Sequence, residues 1–202
     1  LAWLGLYMAS YPFLQSLKKT SQRKTWISWG IIYTLIAVVF LIPVLVFKPS
    51  MLWFAPVQLI LFMVNVWHVL QKAERALLND ICAILLFCTG GAAAYMLGGG
   101  GFDPMLAAVI VYNFLYFTGT VFFVKSVFRE RKNRRWTIYA RIYHAVMLVL
   151  PIIFGNPWMC LPFVFPFIKT LLYSGKAMKP MKVGIIEIVG SVQFLLLSMM
   201  LM

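Results

Sequence analysis

The chain has 202 residues, of which 63% are hydrophobic and only 11% are charged. Soluble domains run at about 45–50% apolar and about 25% charged, so a water-soluble globule is excluded, because it would have to expose far more apolar surface than such proteins carry. Disorder is excluded as well, since disordered chains are poor in apolar residues, and the net charge of +13 then belongs to the loops of a membrane protein rather than to a nucleic-acid-binding surface.

A spanning helix takes about 20 residues, so eight or nine spans with short loops use up the chain. The composition therefore predicts an all-α fold, a polytopic transmembrane helical bundle forming a single domain over residues 1–202. Only helices and closed barrels satisfy the backbone in lipid, and the apolar runs lack the two-residue alternation of a barrel.

In chain order, eight spans are expected at roughly 1–17, 26–47, 51–70, 81–97, 105–125, 136–155, 157–173 and 183–202. The first run has neither a basic leading region nor a cleavage site and is not read as a signal peptide. Pro43, Pro151, Pro162 and Pro166 fall within or near spans, where kinks are tolerated. Gly98–Gly101 reads as a flexible outer turn. Cys82, Cys88 and Cys160 all sit in apolar runs. An odd number of cysteines without metal-ligand spacing gives neither a disulfide framework nor a zinc site; they are expected to be small packing residues. No metal and no cofactor is expected.

The loop charges alternate. The first loop carries Lys18, Lys19, Arg23 and Lys24, and the third carries Lys72 and Arg75. The fifth carries Arg129, Arg131, Lys132, Arg134 and Arg135; the seventh carries Lys176, Lys179 and Lys182. The second loop holds only Lys48, and the fourth and sixth hold no lysine or arginine. By the positive-inside rule the odd loops are cytoplasmic. Leu1 would then lie outside, and a ninth helix upstream of it is expected in the full protein.

Ionisable residues inside spans cost free energy and are functional candidates. Arg141 lies five residues past Trp136. His144 follows at i+3 on the same helix face. Lys169 and Glu187 sit near the cytoplasmic ends of their spans. Arg129 and Arg131 supply further charge from the fifth loop. Together, Arg129, Arg131, Arg141, His144, Lys169 and Glu187 make a basic set suited to an anionic headgroup, with arginine as a bidentate fork and lysine as a point charge. A carboxylate snorkels poorly, so Glu187 needs a cation, and Arg141 or a loop lysine is the expected partner; Lys169 is expected to snorkel. His68, Glu74, Arg75 and Asp80 are secondary candidates around the third loop. Asn65 and Asn113 are expected to bond between helices. An internal echo pairs Tyr11-Pro12-Phe13-Leu14, with Gly30 eighteen residues after Pro12, against Phe165-Pro166-Phe167-Ile168, with Gly184 eighteen residues after Pro166. A duplicated bundle would leave such a trace.

Gly119–Arg131 (GTVFFVKSVFRER), Ile142-Tyr143-His144, Lys179–Ser191 (KPMKVGIIEIVGS) and Glu74-Arg75 followed by Asn79-Asp80 resemble the YwiC-like family of bacterial membrane proteins. That family is in turn similar to UbiA-type prenyltransferases, helical bundles with a cytoplasmic-side pocket in which paired Asp-rich motifs hold magnesium and a prenyl diphosphate. The resemblance implies the bundle, the pocket and a bacterial plasma membrane as its place. The metal chemistry is not implied. The corresponding loops read KKTSQRK and SVFRERKNRR, with Glu130 as their single acid, and Asp80 is followed by no second acid. Magnesium-dependent prenyl transfer needs carboxylates to hold the metal. The favoured reading is therefore a protein that holds an anionic lipid or isoprenoid phosphate headgroup with basic side chains instead of metal. Its partners would be membrane lipids, with no nucleic acid. A membrane transporter and a non-catalytic scaffold subunit are the alternatives. An enzyme using His144 and Glu187 as acid and base stays open, although no nucleophile motif accompanies them.

Overall fold

The computed structural model describes residues 1–18 and 21–202. It is all helical among the described residues. Helices α1 (Ala2–Ser16), α2 (Arg23–Phe47), α3 (Phe54–Leu70), α4 (Leu77–Leu97), α5 (Pro104–Val127), α6 (Arg134–Ile153), α7 (Leu161–Tyr173) and α8 (Pro180–Leu201) follow one another through short turns. Single 3-10 turns, Pro49–Trp53 and Pro157–Cys160, lead into α3 and α7. In both, a proline near the start removes an N–H that would have no helical partner.

Six of these segments are long and apolar enough to cross a membrane, with the 3-10 turn before α3 counted into its span. They are apolar without being buried: in α2 only 11% of the most apolar window is covered by protein. Leu35, Val39, Ile42 and Val46 of α2 are all exposed. Helices that are apolar all round and left uncovered by protein are solvated by lipid; the chain is a multi-pass membrane protein. The fifteen residues of α1 and the thirteen of α7 reach only about 22 and 20 Å at 1.5 Å per residue, short of the ~30 Å hydrocarbon core.

Residues 1–110 and 111–202 form two compact units. In the first, α1 and α2 make a tight hairpin. A Cβ on Gly5 would stand 2.9 Å from the Ala37 Cα, and one on Gly30 would stand 2.8 Å from the Phe13 ring; these helices approach through glycine, as packing in lipid favours. Lys18 Nζ reaches Glu74 Oε2 at 2.8 Å, so the first and third loops meet. At the other end Lys48 Nζ donates to the Met96 carbonyl. This is the last turn of α4, where the helix carries free carbonyls and the negative end of its dipole. The one lysine of the second loop thus serves as a cap.

In the second unit an aromatic column forms the middle: Tyr116 stacks on Phe194 at 4.1 Å, Phe194 meets Phe163 at 5.7 Å, and Phe163 meets Tyr112 at 6.2 Å. Below it Phe123, Val127 and Val183 are fully buried, with Tyr173 and Met178 against them. The Gly175 amide donates to the Ser126 carbonyl at 3.2 Å, which joins the fifth and seventh turns. Asn156 Nδ2 donates to the Leu201 carbonyl at 3.2 Å, which joins the sixth turn to the end of α8. Each unit therefore gathers its odd loops at one end and its even loops at the other.

Two local expectations change. Asn65 bonds within its own helix, Nδ2 to the Leu61 carbonyl at 2.8 Å, the local i−4 bond that a helix offers a short polar side chain. The echo glycines also differ. Gly30 is buried against Phe13, whereas Gly184 is exposed with nothing within 4 Å.

Candidate functional site

The charged centre of the second unit is built by α5 to α8. Lys169 on α7 and Glu187 on α8 form an ion pair, Nζ to Oε1, at 2.5 Å. Their side chains are 2% and 16% exposed. Lys169 does not snorkel; it turns inward, and its ammonium lies 4.9 Å from the centre of the Phe123 ring of α5, a cation–π contact that helps hold a desolvated charge. The partner of Glu187 is thus Lys169, neither Arg141 nor a loop lysine.

His144 on α6 is 2% exposed. Its Nδ1 lies 2.8 Å from the Ala140 carbonyl. A carbonyl only accepts, so Nδ1 carries a proton. A Cβ at position 119 would stand 3.1 Å from Nε2; α5 passes here because residue 119 is glycine. The Lys169 charge is within electrostatic reach of this imidazole, and the Glu187 charge is within reach of the Tyr116 hydroxyl. Glu187 Oε2 and, next to Lys169 in sequence, Thr170 Oγ1 are buried without a hydrogen-bond partner among the described residues. Orphaned polar atoms of this kind cost about 1–3 kcal/mol each.

Arg141 has a different task. Its Nε donates to Ser174 Oγ at 3.1 Å and its Nη2 reaches the Leu171 carbonyl at 3.5 Å. It caps the C-terminal end of α7, where free carbonyls favour a cation, and the residue is otherwise exposed. Arg129 and Arg131 are exposed in the turn between α5 and α6. That turn adjoins the Ser174–Lys179 turn through the Gly175 to Ser126 bond. A Cβ on Gly175 would also stand 3.0 Å from Thr137 Oγ1 of α6. The six primary candidates thus divide. Lys169 and Glu187 are paired in the interior, and His144 is buried on α6; Arg129, Arg131 and Arg141 belong to the basic end.

The secondary candidates lie at one end of the first unit. His68 is buried, its Nδ1 bonding the Val64 carbonyl at 2.8 Å and its ring edge-on to Trp67 at 4.8 Å. Glu74 pairs with Lys18, and its carbonyl accepts from Asn79 Nδ2 at 2.7 Å. Asp80 sits in the first turn of α4, where a carboxylate suits the helix dipole. Arg75 is exposed. Lys19 lies outside the described residues.

Sequence reasoning missed Asp103. Its Oδ1 accepts from the Leu106 amide at 2.9 Å and so caps α5, and its Oδ2 accepts from the Tyr95 hydroxyl at 2.8 Å. The Leu106 N–H, and after it the Tyr95 hydroxyl, hold the Asp103 carboxyl below the usual carboxylate range. An Asp three residues before a helical amide is a readable N-cap signal. The glycine run is therefore a built turn.

A sequence profile described as "YwiC-like protein" matches residues 1–95. A Bacillus subtilis (strain 168) protein described as "Uncharacterized protein YwiC" is 36% identical over 195 residues, covering 96% of this chain and 81% of its own. A Haemophilus influenzae (strain ATCC 51907 / DSM 11121 / KW20 / Rd) protein described as "Uncharacterized protein" is 33% identical over 197 residues, covering 98% of this chain and 82% of its own. No solved structure matches the chain. With identity of this order along nearly its whole length, the chain belongs to the YwiC-like family.

Proposed function

We propose that the basic end of the second unit holds an anionic lipid or isoprenoid phosphate headgroup at the cytoplasmic face of a bacterial plasma membrane, in a UbiA-like bundle that uses no magnesium. The observation that carries this reading is the junction of two basic turns. The Gly175 to Ser126 bond sets Arg129 and Arg131 beside the Lys176–Lys179 turn, and Glu130 is the only acid in either segment. Arg141 stands at the same end with donors to spare: the fork has five N–H groups, and its recorded bonds use Nε and Nη2. Basic clusters beside a membrane gain about 1 kcal/mol per residue from anionic lipid, and a phosphate suits the arginine fork.

The test is lipid retention by the purified protein in nanodiscs of mixed phosphatidylglycerol and phosphatidylcholine. After transfer to detergent, native mass spectrometry should find phosphatidylglycerol enriched over its share of the disc. The enrichment should vanish in the triple variant Arg129→Gln, Arg131→Gln, Arg141→Gln. Equal retention of both lipids by the unaltered chain would refute the proposal.

A further inference from the structure

We propose that Lys169 and Glu187 form an exchange site for a proton and an alkali cation: a monovalent cation binds the Glu187 carboxylate when Lys169 gives up its proton. This goes beyond headgroup binding and uses groups buried away from the basic end. Glu187 has two carboxylate oxygens in different states. Oε1 holds the Lys169 ammonium at 2.5 Å, while Oε2 is buried with no partner among the described residues. An ionised carboxylate oxygen only accepts, so the missing partner is a cation or a hydrogen-bond donor. An anion is repelled there. The Tyr116 hydroxyl, 3% exposed, faces Ser191 and feels the Glu187 charge. A carboxylate oxygen is a hard ligand and selects hard cations over soft ones.

Charge counting fixes the rest. Lys169 and Glu187 together are neutral. A monovalent cation added beside both would leave one net charge buried, at a cost of several kcal/mol. The cost disappears if one N–H bond of the Lys169 ammonium breaks, its electron pair staying on nitrogen and its proton passing to water. The carboxylate and the metal cation are then the neutral pair, beside a neutral amine. A divalent cation leaves an excess charge in either state. The neighbours permit the change. The Phe123 ring of α5 accommodates the amine charged or neutral. His144 of α6, whose ring feels the Lys169 charge, has its Nδ1–H already committed to Ala140. Tyr143 of α6 is committed to the Leu115 carbonyl at 3.0 Å. On α8, Lys182 is engaged over the Tyr173 ring at 5.3 Å.

The experiment is isothermal titration of sodium, lithium and potassium chlorides into the purified full chain in detergent, in two buffers of different ionisation heat, with choline chloride as control. The expected result is binding of at least one alkali cation with about one proton released. The affinity should rise about tenfold per pH unit while Lys169 stays charged. Glu187→Gln should abolish both signals. Glu187→Asp, which keeps the carboxylate but draws it back from Lys169, should weaken binding on the order of tenfold, the worth of one hydrogen-bond-strength contact; it keeps the test decisive if Glu187→Gln does not fold. Absence of alkali-cation binding at every pH at which the chain stays folded would overturn the proposal, as would binding without proton release. Proton uptake on adding chloride at constant sodium would overturn it in favour of an anion held by Lys169.

Discussion

At the scale of single residues, the Lys169–Glu187 pair is the most sharply constrained feature. Each charge is tolerable in the interior only because the other is there. Lys169→Met leaves the Glu187 carboxylate uncompensated and should lower stability by about 3–5 kcal/mol, the usual cost of breaking a buried pair. The double variant Lys169→Met, Glu187→Met removes both charges and should be more stable than either single change; thermal unfolding in one detergent compares all three. A double variant as unstable as the worse single one would show that the pair contributes more than mutual neutralisation. Asp103 makes a second prediction outside the membrane. Its carboxyl lies below the usual range when folded. Its capping contribution is therefore complete above the ordinary aspartate value and is lost as pH falls through the lowered one. Hydrogen exchange at the Leu106 amide should accelerate across that acid window, and Asp103→Asn should remove the pH dependence. The Glu187 partner was not legible in the sequence. Lys169 and Glu187 are on separate helices, and nothing in two apolar runs fixes which faces meet. Glu187 was nonetheless recognisable as a residue that needed a cation.

At the scale of elements, the eight helices were readable because apolar runs stop at charged or glycine-rich turns. The errors fall where polar residues sit inside a first turn. Helix α4 begins at Leu77 rather than near 81, because Asn79 and Asp80 fit a helix start. Helix α6 begins at Arg134, because Asn133 Oδ1 accepts from the Arg135 amide at 3.1 Å and caps it. Close packing was less legible than length. A Cβ on Gly5 would stand 2.9 Å from the Ala37 Cα, whereas one on Gly184 would meet nothing within 4 Å. Gly5→Ala should therefore cost about 1–3 kcal/mol by overpacking the α1–α2 hairpin. Gly184→Ala, with open space on α8, should be neutral or stabilise by up to about 1 kcal/mol through helix propensity. The two unfolding midpoints settle the contrast. Equal effects would mean that the α1–α2 approach is not set by glycine.

At the scale of the whole molecule, the reading rests on topology. The alternation of basic loops was legible because lysine and arginine crowd the odd turns. Lys48, the exception, is accounted for by its bond to the Met96 carbonyl. Within each unit the odd turns adjoin, through Lys18 and Glu74 in one and Gly175 and Ser126 in the other. Cysteines introduced at exposed turn positions report the side of each loop. In a chain with Cys82, Cys88 and Cys160 replaced by alanine, Lys24→Cys, Lys132→Cys and Ala177→Cys should react with a membrane-impermeant maleimide only in inverted vesicles. Ser50→Cys, Phe102→Cys and Trp158→Cys should react only in intact cells. Labelling of Lys132→Cys and Ala177→Cys from opposite sides, or of either from outside the cell, would contradict a lipid-spanning bundle that carries its basic end on the inner face.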